Sequence, residues 1–464
     1  MRDILVVSVI LGLVPVSMRR PWLGILAWYG ISYFAPHGLA WGFARTFPVA
    51  VFIGSATLLG FLFAKDRKPL PRNAATFFML ACVVQFTLTS VLAHNPELAW
   101  DKWERVMKIL LMTFVTMSLF QDRARLRWLY MVPALGLGFY GVKGALWVLR
   151  TGGGGGGEVQ TDAAEGGRVF GPAGSFFADA NGIGPALCMV LPILLYLSRD
   201  EERPWLKRIF QLAFGLSIIS VIFTFSRGAF LGLAVVLLVL VWRSPWRMRF
   251  ATAVLVVGII AAPLAPQRLW DRIASISEQE SAETRDLSTV GRIQSFETAW
   301  NIAVSRPFTG AGFRALWNPD IWFIYFGPSY YKAYDAHSIY FEVLSEHGLL
   351  GFGLYMGVMV STLLTLRRLR KRWRDHPEHG YISRYAEMTL LSLYPFFVCG
   401  AFIPYAYFDL YFLLVATTSM LFALSQEAQR AEVPSTVPQP RRSLAVAVRL
   451  NTLPSRSRRR PRHV

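Results

Sequence analysis

Cysteines and the usual metal or nucleotide motifs are nearly absent from this chain. Its three cysteines, Cys82, Cys188 and Cys399, all lie inside apolar runs, where a thiol usually behaves as a small hydrophobic group, so they predict no disulfide framework. The polar connections contain no DxD, no HExxH and no cysteine pair at ligand spacing, and the glycine-rich run at 151–167 is followed by no GK[ST]. These absences argue against a metal site and a P-loop, and we expect no cofactor.

Apolar runs of membrane length are abundant. Hydrophobic residues make up 54% of the 464 residues, and many runs reach the roughly 17 to 22 residues that a helix needs to cross a hydrocarbon layer. None shows the period-two alternation of a barrel strand, so helices are the spanning structures that can satisfy their own backbone hydrogen bonds. The sequence predicts an all-α, polytopic membrane protein.

Thirteen candidate spans can be placed. They are 2–17, 22–36, 47–64, 75–93, 106–120, 128–149, 181–198, 209–226, 228–242, 250–266, 349–366, 386–404 and 407–425. No small-residue cleavage site follows the first run, so we expect it to be retained. One of the first two segments need not cross fully, which leaves twelve or thirteen spans open.

Cations concentrate in every second connection between the spans. The basic connections are "KDRKPLPR" (65–72), "DRARLR" (122–127), "RDEERPWLKR" (199–208), "RSPWRMR" (243–249) and "RRLRKRWR" (367–374). This alternation is the positive-inside pattern. It predicts that these loops are cytoplasmic and that the connections at 150–180 and 267–337 are external. It also accounts for the net charge of +19 without nucleic acid as a partner.

The chain divides into one integral-membrane domain, residues 1–430, and a tail, residues 431–464. From Arg441 to Val464 the tail has eight arginines and no acid, with Pro and Ser between them. This composition predicts a disordered cytoplasmic segment that lies near anionic lipid.

The long external connection at 267–337 should be functional, because structureless connections of this length are uncommon. Within it, residues 290–307 place apolar side chains at helical spacing. They predict a short amphipathic helix on the membrane face, with Arg292 near its N-terminus. Residues 317–334 are dense in Trp, Tyr and Phe, which indicates either interfacial anchoring or a stacking platform for a sugar acceptor.

Two of the seven histidines fall together at the end of this connection. His337 stands between Asp335, a good helix N-cap, and Ser338, so we expect it in the first turn of a helix. With an ordinary pKa of about 6.5, a neutral histidine there can take a proton from a sugar hydroxyl; the alternative is an interfacial histidine that only hydrogen-bonds the loop. His347, in a "HG" typical of a helix-ending turn, is a weaker candidate for substrate contact.

Arginines are candidates for binding phosphate. "TFSRGAF" (224–230) interrupts an apolar stretch and places Arg227 in a tight external hairpin, where a charge is costly and so suggests function; the alternative is a snorkelling arginine. Guanidinium groups bind phosphate oxygens in pairs and keep their charge. Arg227 and Arg292, with Arg168 or Arg314, can therefore clamp a pyrophosphate and make a metal unnecessary.

The segment "GPAGSFFADANGIG" (171–184) carries polar residues just before the candidate span at 181–198. Asp179 and Asn181 are suitable helix caps. The alternative is that these two residues contact substrate, with Asn181, near the entrance, as the hydrogen-bonding partner.

Together these segments resemble the O-antigen ligase family of inner-membrane glycosyltransferases. The motif that carries the resemblance is His337-Ser338, nine residues, Gly348, two residues and Gly351, similar to the family pattern H-[NSQ]-x9-G-x2-[GTY]. "SRG" (226–228), "DAN" (179–181) and "RPFTGAGF" (306–313) also look like family segments in the expected order. "MRDI" with "RPWLGILAW" (20–28) resembles the subgroup found beside exosortase systems.

The resemblance implies a GT-C-like fold of twelve spans with both termini inside, in the bacterial inner membrane. It implies a periplasmic, metal-independent transfer of a glycan from undecaprenyl pyrophosphate to a hydroxyl of the lipid A core. His337 would be the general base, and Arg227 and Arg292 would bind the pyrophosphate. Single displacement of the diphosphate predicts inversion at the anomeric centre. Membrane lipid is a further expected partner.

Three rival functions remain at this stage. Within the family, a protein O-oligosaccharyltransferase or a Wzy-type polymerase uses the same chemistry, and the histidine motif does not separate them. From another class, a lipid-glycan transporter would also set arginines against phosphate but needs no base.

Overall fold

The computed structural model describes residues 2–40, 42–152, 167–243, 248, 252, 287–330, 333 and 335–432. Within these residues the regular secondary structure is helical and no strand occurs, which confirms the all-α prediction. The longer helices are α1 (Arg2–Arg19), α2 (Pro21–Phe34), α3 (Val49–Phe63), α4 (Ala74–Val91), α5 (Pro96–Leu119), α6 (Arg123–Thr151), α7 (Ala180–Asp200), α8 (Pro204–Ile222), α9 (Arg227–Arg243), α10 (Leu287–Ser305), α11 (Pro319–Tyr325), α12 (Ile339–Arg372), α13 (Gly380–Cys399) and α14 (Asp409–Glu432).

Seven helical segments in the described part of the chain are long and apolar enough to cross a membrane. They are α4, α6, α7, α8, α12, α14, and α13 together with the short 3₁₀ turn that follows it. Helix α1 carries three charged residues, and α2, α3 and α9 are shorter than the length required. A membrane protein is thus supported by length and composition, whereas twelve or thirteen crossings stay a prediction. The candidate span at 250–266, most of the glycine-rich run and the basic tail lie outside the described residues.

Four of the five basic connections, those at 65–72, 122–127, 199–208 and 367–374, come together at one end of the bundle. Ion pairs join them there: Lys68–Glu427 at 2.6 Å, Arg125–Asp66 at 2.7 Å, Arg127–Glu201 at 2.6 Å and Arg384–Asp200 at 3.1 Å. We call this end the basic face, formed by residues 64–73, 120–123, 200–204, 373–380 and the end of α14. The sequence pattern of alternating basic connections is therefore realised as a single charged surface.

The opposite end, called the site face, is formed by residues 36–40, 42–45, 92–95, 167–179, 223–226, 306–330, 335–338 and 400–408. His94 N donates to Ala311 O at 3.0 Å, and Val169 N donates to Phe223 O at 2.9 Å, so these loops contact one another. Asp3 at the start of α1 accepts from the backbone N–H of Gly42 at 2.9 Å. Helix α1 thus begins at the site face and α14 ends at the basic face. The arrangement of the chain termini relative to a membrane stays a prediction.

Helix α7 lies at the centre of one half of the bundle, in contact with α6, α8, α9 and α13. It is buried over nearly its whole length, as expected of a helix that is apolar on all sides. Small residues allow close approach of its neighbours. A Cβ at Gly232 of α9 would lie 2.4 Å from Cys399 Sγ of α13. Close packing of α9 on α13 fixes where α9 begins at the site face.

Helix α12 is broken at Gly348, which has φ +67° and ψ −170°. The "HG" pair predicted a helix-ending turn, and the structure has a kink there after which the helix resumes. The glycine is required because a Cβ at this position would lie 2.5 Å from Pro307 O. Leu350 N donates to the same carbonyl at 3.0 Å. The 306–313 segment is thereby fastened to α12.

Candidate active site

His337 lies at the site face, in the connection that leads into α12. Its φ is +46°, in the left-handed region, and α12 begins two residues later at Ile339 with Ser338 as its N-cap. The prediction that Asp335 caps this helix and that His337 occupies its first turn is wrong. A left-handed residue cannot continue a right-handed helix. Asp335 instead accepts a hydrogen bond from Ala336 N at 2.8 Å.

The surroundings of His337 favour its neutral form. Burial lowers its pKa below the ordinary value of 6.5, and the positive charge of Arg292 lowers it further, whereas Asp335 and Asp179 act in the opposite direction. Because burial and Arg292 prevail, the pKa of His337 is lowered and the neutral imidazole is favoured over the imidazolium. A neutral imidazole at the surface of the bundle can accept a proton from a hydroxyl group.

Helix α10 brings Arg292 next to this histidine. Phe296 of α10 stacks on Phe341 of α12, with ring centroids 4.2 Å apart and planes inclined by 12°. Arg292 lies one turn before Phe296, and His337 lies four residues before Phe341. The ring stack therefore aligns the two segments, and the electrostatic effect of Arg292 on His337 follows from it. The helix predicted at 290–307 is present, although its location on a membrane surface stays a prediction.

Arg168 joins two connections of the site face. Its Nε donates to Thr224 O at 2.8 Å, and its Nη2 lies 3.4 Å from Asn181 Oδ1. Asp179 is the N-cap of α7, since its Oδ1 accepts from Gly182 N at 2.6 Å. The capping prediction is confirmed for Asp179. Asn181 lies in the first turn of α7, where its amide oxygen faces Arg168.

Arg227 is the first residue of α9 and follows the short turn at 223–226. This turn confirms the tight hairpin between two apolar helices, α8 and α9. Thr224 of the same turn supplies the carbonyl that Arg168 binds. The turn that Arg168 binds therefore leads directly into Arg227.

Tyr405, in the connection between α13 and α14, is a site residue that the sequence did not reveal. Its hydroxyl donates to Asp179 Oδ2 at 2.9 Å. Asp179 thus caps α7 with one oxygen and accepts from Tyr405 with the other, while its charge acts on His337. In "IPYAYFDL" nothing distinguishes this tyrosine from an ordinary core aromatic residue, so only the fold could identify it.

A buried ion network supports the connection that carries Tyr405. Lys102 Nζ lies 2.7 Å from Glu342 Oε1 and 2.7 Å from Glu346 Oε1. Glu342 Oε2 accepts from Ala406 N at 2.9 Å, which fixes the residue after Tyr405 to α12. The sequence does carry a signal for this network, because glutamates four residues apart in a membrane-length helix are costly unless paired.

Two predicted site residues are engaged in the scaffold. Arg314 Nη1 lies 2.5 Å from Asp101 Oδ2, and its guanidinium group lies 4.7 Å from the Trp317 ring centroid. His347 is completely buried, with Nδ1 at 2.6 Å from Thr89 Oγ1 and Nε2 at 2.9 Å from the Tyr407 hydroxyl. Substrate contact by either residue stays a prediction.

The other predicted residues form one group. Connected contacts and charge effects link Arg168, Asp179, Asn181, Arg292 and His337, and the turn bound by Arg168 leads directly into Arg227. In the part of the chain that the structure describes, no cluster of three or more His, Cys, Asp or Glu side chains is arranged to hold a metal. The group can bind an anion through guanidinium donors and accept a proton through the histidine.

Fold and site together define a helical membrane protein with a histidine–arginine site at one end of its bundle. Comparison with known protein families shows what two regions of the chain are similar to. Residues 212–356 match the family described as "O-Antigen ligase", and residues 1–202 match one described as "Family of unknown function (DUF5935)". Residues 212–356 are therefore similar to the O-antigen ligase family. No curated protein matches it significantly.

The matched regions divide the site between them. The region that matches the O-antigen ligase family contains Arg227, Arg292 and His337, whereas Arg168 and Asp179 belong to the region that matches the family of unknown function. The O-antigen ligase match supports glycosyl transfer of the ligase or polymerase type. The resemblance to the O-antigen ligase family is confirmed, and the exosortase-associated subgroup stays a prediction.

Proposed function

We propose that this protein is an O-antigen ligase that transfers a glycan from undecaprenyl pyrophosphate to a hydroxyl group of the lipid A core. The observation that carries the proposal is the location of His337 beside Arg292, half-buried, within the region that matches the O-antigen ligase family. Burial and the charge of Arg292 both lower the pKa of His337 and so favour a neutral imidazole. A transporter would need the arginines but gains nothing from a neutral base next to them. Transfer uses both.

The reaction proposed is a single displacement. The hydroxyl oxygen of the acceptor attacks the anomeric carbon of the donor, and the bond from that carbon to the diphosphate oxygen breaks. The hydroxyl proton passes to His337 and later to water, while the diphosphate leaves with the bonding electron pair. Attack opposite to the leaving group inverts the anomeric centre. A diphosphate is already a good leaving group, so base catalysis and charge stabilisation are the main contributions required of the protein.

Three guanidinium groups are proposed to hold the diphosphate. Arg292 belongs to α10, and Arg168 binds the turn at 223–226 that leads into Arg227. Their charges stay fixed at any physiological pH. As negative charge develops on the departing diphosphate, donors that are already in place stabilise it without reorganisation.

The site is proposed to face the periplasm of a bacterium. The basic face, with its ion-paired loops, fits the cytoplasmic side by the positive-inside rule. His337 and the arginine-bearing turn belong to the opposite end of the bundle. A lipid-linked donor and a lipid acceptor would then meet His337 at the outer surface of the inner membrane.

The acceptor assay tests the function directly. Purified protein with an undecaprenyl-pyrophosphate glycan should form product with lipid A core, and product formation should persist in the presence of a chelator. Gel mobility and mass spectrometry of the products measure the outcome, with protein and a second lipid-linked glycan offered in parallel. Product on protein alone would indicate an oligosaccharyltransferase, product on the second glycan a polymerase, and loss of activity that a divalent cation restores would require a metal.

The pH profile tests the assignment of His337 as the base. Its lowered pKa means that the imidazole becomes protonated only below its ordinary value, so kcat/KM should be on its plateau at pH 7 and fall as pH drops below about 6.5. Arg292→Gln removes a positive charge that disfavours the imidazolium, and should therefore move the midpoint to higher pH. Arg314→Gln is the matched control. A midpoint that moves to lower pH in Arg292→Gln would contradict the assignment.

A further inference from the structure

A basic cavity of about 620 Å³ lies at the site face, separate from the histidine–arginine group. It is enclosed by the start of α1, the connection at 36–45, the last third of α6 and residues 170–173. Three cationic side chains line it, from three different elements: Arg2, Arg45 and Lys143. No sequence motif indicated this cavity, because the fold brings together residues more than a hundred positions apart.

Among the described residues that line the cavity, three are cationic and none carries a carboxylate. Asp3, the nearest acid along α1, has its Oδ1 engaged by the backbone N–H groups of Gly42 and Ala44 at 2.9 and 3.1 Å. Within the described residues the structure shows no ion pair for Arg2, Arg45 or Lys143. Cations gathered without a counter-charge favour an anionic ligand, and phosphate is the group that such donors bind most directly.

The same cavity has an apolar side. Leu5 and Val6 of α1 line it together with Tyr140 and Phe170, and Leu5 is 65% exposed at the outer surface of the bundle. The cavity therefore opens towards the side at which lipid chains would lie. A ligand that matches both parts has a phosphate group attached to hydrocarbon, which is the chemistry of a phosphorylated lipid headgroup.

A short segment links the cavity to the candidate active site. The Arg168 guanidinium lies 5.9 Å from the ring centroid of Phe170, which lines the cavity. Gly171 N donates to Ala178 O at 2.9 Å, and the next residue, Asp179, belongs to the site. A headgroup in the cavity would therefore lie beside the residues that face His337 and the diphosphate.

We propose that this cavity binds the phosphorylated headgroup of the lipid acceptor and holds its sugar near His337. The inference rests on the proposed function and adds the acceptor-binding site to it. Phosphate contacts with Arg45 and Lys143 anchor the headgroup, and Leu5 and Val6 border its hydrocarbon. The donor diphosphate and the acceptor phosphate then occupy different sets of cations.

Binding of lipid A core to the full-length protein in phosphatidylcholine nanodiscs tests this site. Arg45→Gln combined with Lys143→Gln should weaken binding at least tenfold, because two charge-assisted contacts are lost. Lys207→Gln combined with Arg208→Gln removes two exposed cations near the start of α8, away from the cavity, and should change nothing. Enzymatic removal of the phosphate groups from the lipid should weaken its binding to the wild-type protein as much as the double substitution weakens binding of intact lipid. An excess of phosphatidylglycerol or of inorganic phosphate should not displace intact lipid from the wild-type protein.

Kinetics separate this inference from the proposed function. In the cavity variant the KM for lipid A core should rise at least tenfold, with the KM for donor and kcat at saturating acceptor unchanged. Three results would each overturn the acceptor site and leave the proposed function standing. The cavity variant could transfer glycan with an unchanged KM for lipid A core, dephosphorylated lipid could bind the wild-type protein as tightly as intact lipid does, or either competitor could displace intact lipid. Wild-type protein that binds intact lipid through Arg45 and Lys143 but transfers no glycan would contradict the function and leave the lipid site standing.

Discussion

Replacing His337 by asparagine should lower the rate of glycan transfer by about 10²- to 10⁴-fold, the usual contribution of a positioned general base. Asparagine tolerates the left-handed backbone conformation found at this position, and it hydrogen-bonds but cannot take a proton. The loss should therefore fall on kcat, while affinity for the lipid-linked donor stays nearly intact. Single-turnover kinetics and equilibrium donor binding measure the two effects.

His94 provides the control for this substitution. It also lies at the site face, where its ring contacts Arg306 at 3.1 Å, and His94→Asn should leave the rate within about twofold of wild type, as expected of an exposed side chain away from the reaction. His337→Ala should match His337→Asn in rate. Full transfer activity in both His337 variants would remove this residue as the base.

Replacing Arg227 or Arg292 by alanine should weaken donor binding by about 3 kcal/mol, or roughly 100-fold. Each substitution removes one partner from a poorly solvated charge pair and leaves phosphate oxygens without their donor. Lysine at either position keeps the charge but loses the paired donors, so its effect should be intermediate. Titration with lipid-linked donor, measured on protein whose thermal unfolding is also recorded, gives the affinities.

Arg306→Ala is the matched control for the arginine series. Arg306 lies at the same face, and its guanidinium group is engaged by Leu92 O at 2.8 Å. Its loss should leave donor affinity unchanged even if stability falls. Donor affinity equal to wild type in both Arg227→Ala and Arg292→Ala would eliminate the diphosphate clamp, whatever the activity of these variants.

The long apolar helices were predictable because each of them satisfies its backbone hydrogen bonds within its own segment. Local sequence therefore contains the needed information, as α7 and α14 illustrate. The start of α12 was not predictable in the same way. Asp335 and Ser338 are both good N-caps by residue type, and the choice between them depends on the left-handed conformation of His337, whose ring is half-buried beside Arg292.

The candidate site shows a similar division. Arg227 stood out as a charge within an apolar stretch and His337 as a histidine at the border of one, whereas Arg292 stood out by its place near the start of a predicted helix. Tyr405 did not stand out, since its role depends on Asp179, a residue 226 positions away. The pairing of Lys102 with Glu342 across 240 positions was equally invisible, although the cost of unpaired glutamates in an apolar helix was a sign that partners had to exist.

By itself, the sequence determined that the chain is helical, that its basic loops alternate and that a histidine and several arginines interrupt the apolar pattern. These features depend on residues close together in the chain, whose hydrogen bonds and hydration are local. Only the tertiary structure decided which of these residues meet, that Arg314 and His347 support the scaffold, and that Arg2, Arg45 and Lys143 enclose a cavity. Such contacts depend on how antiparallel helices pack, which no single stretch of sequence specifies.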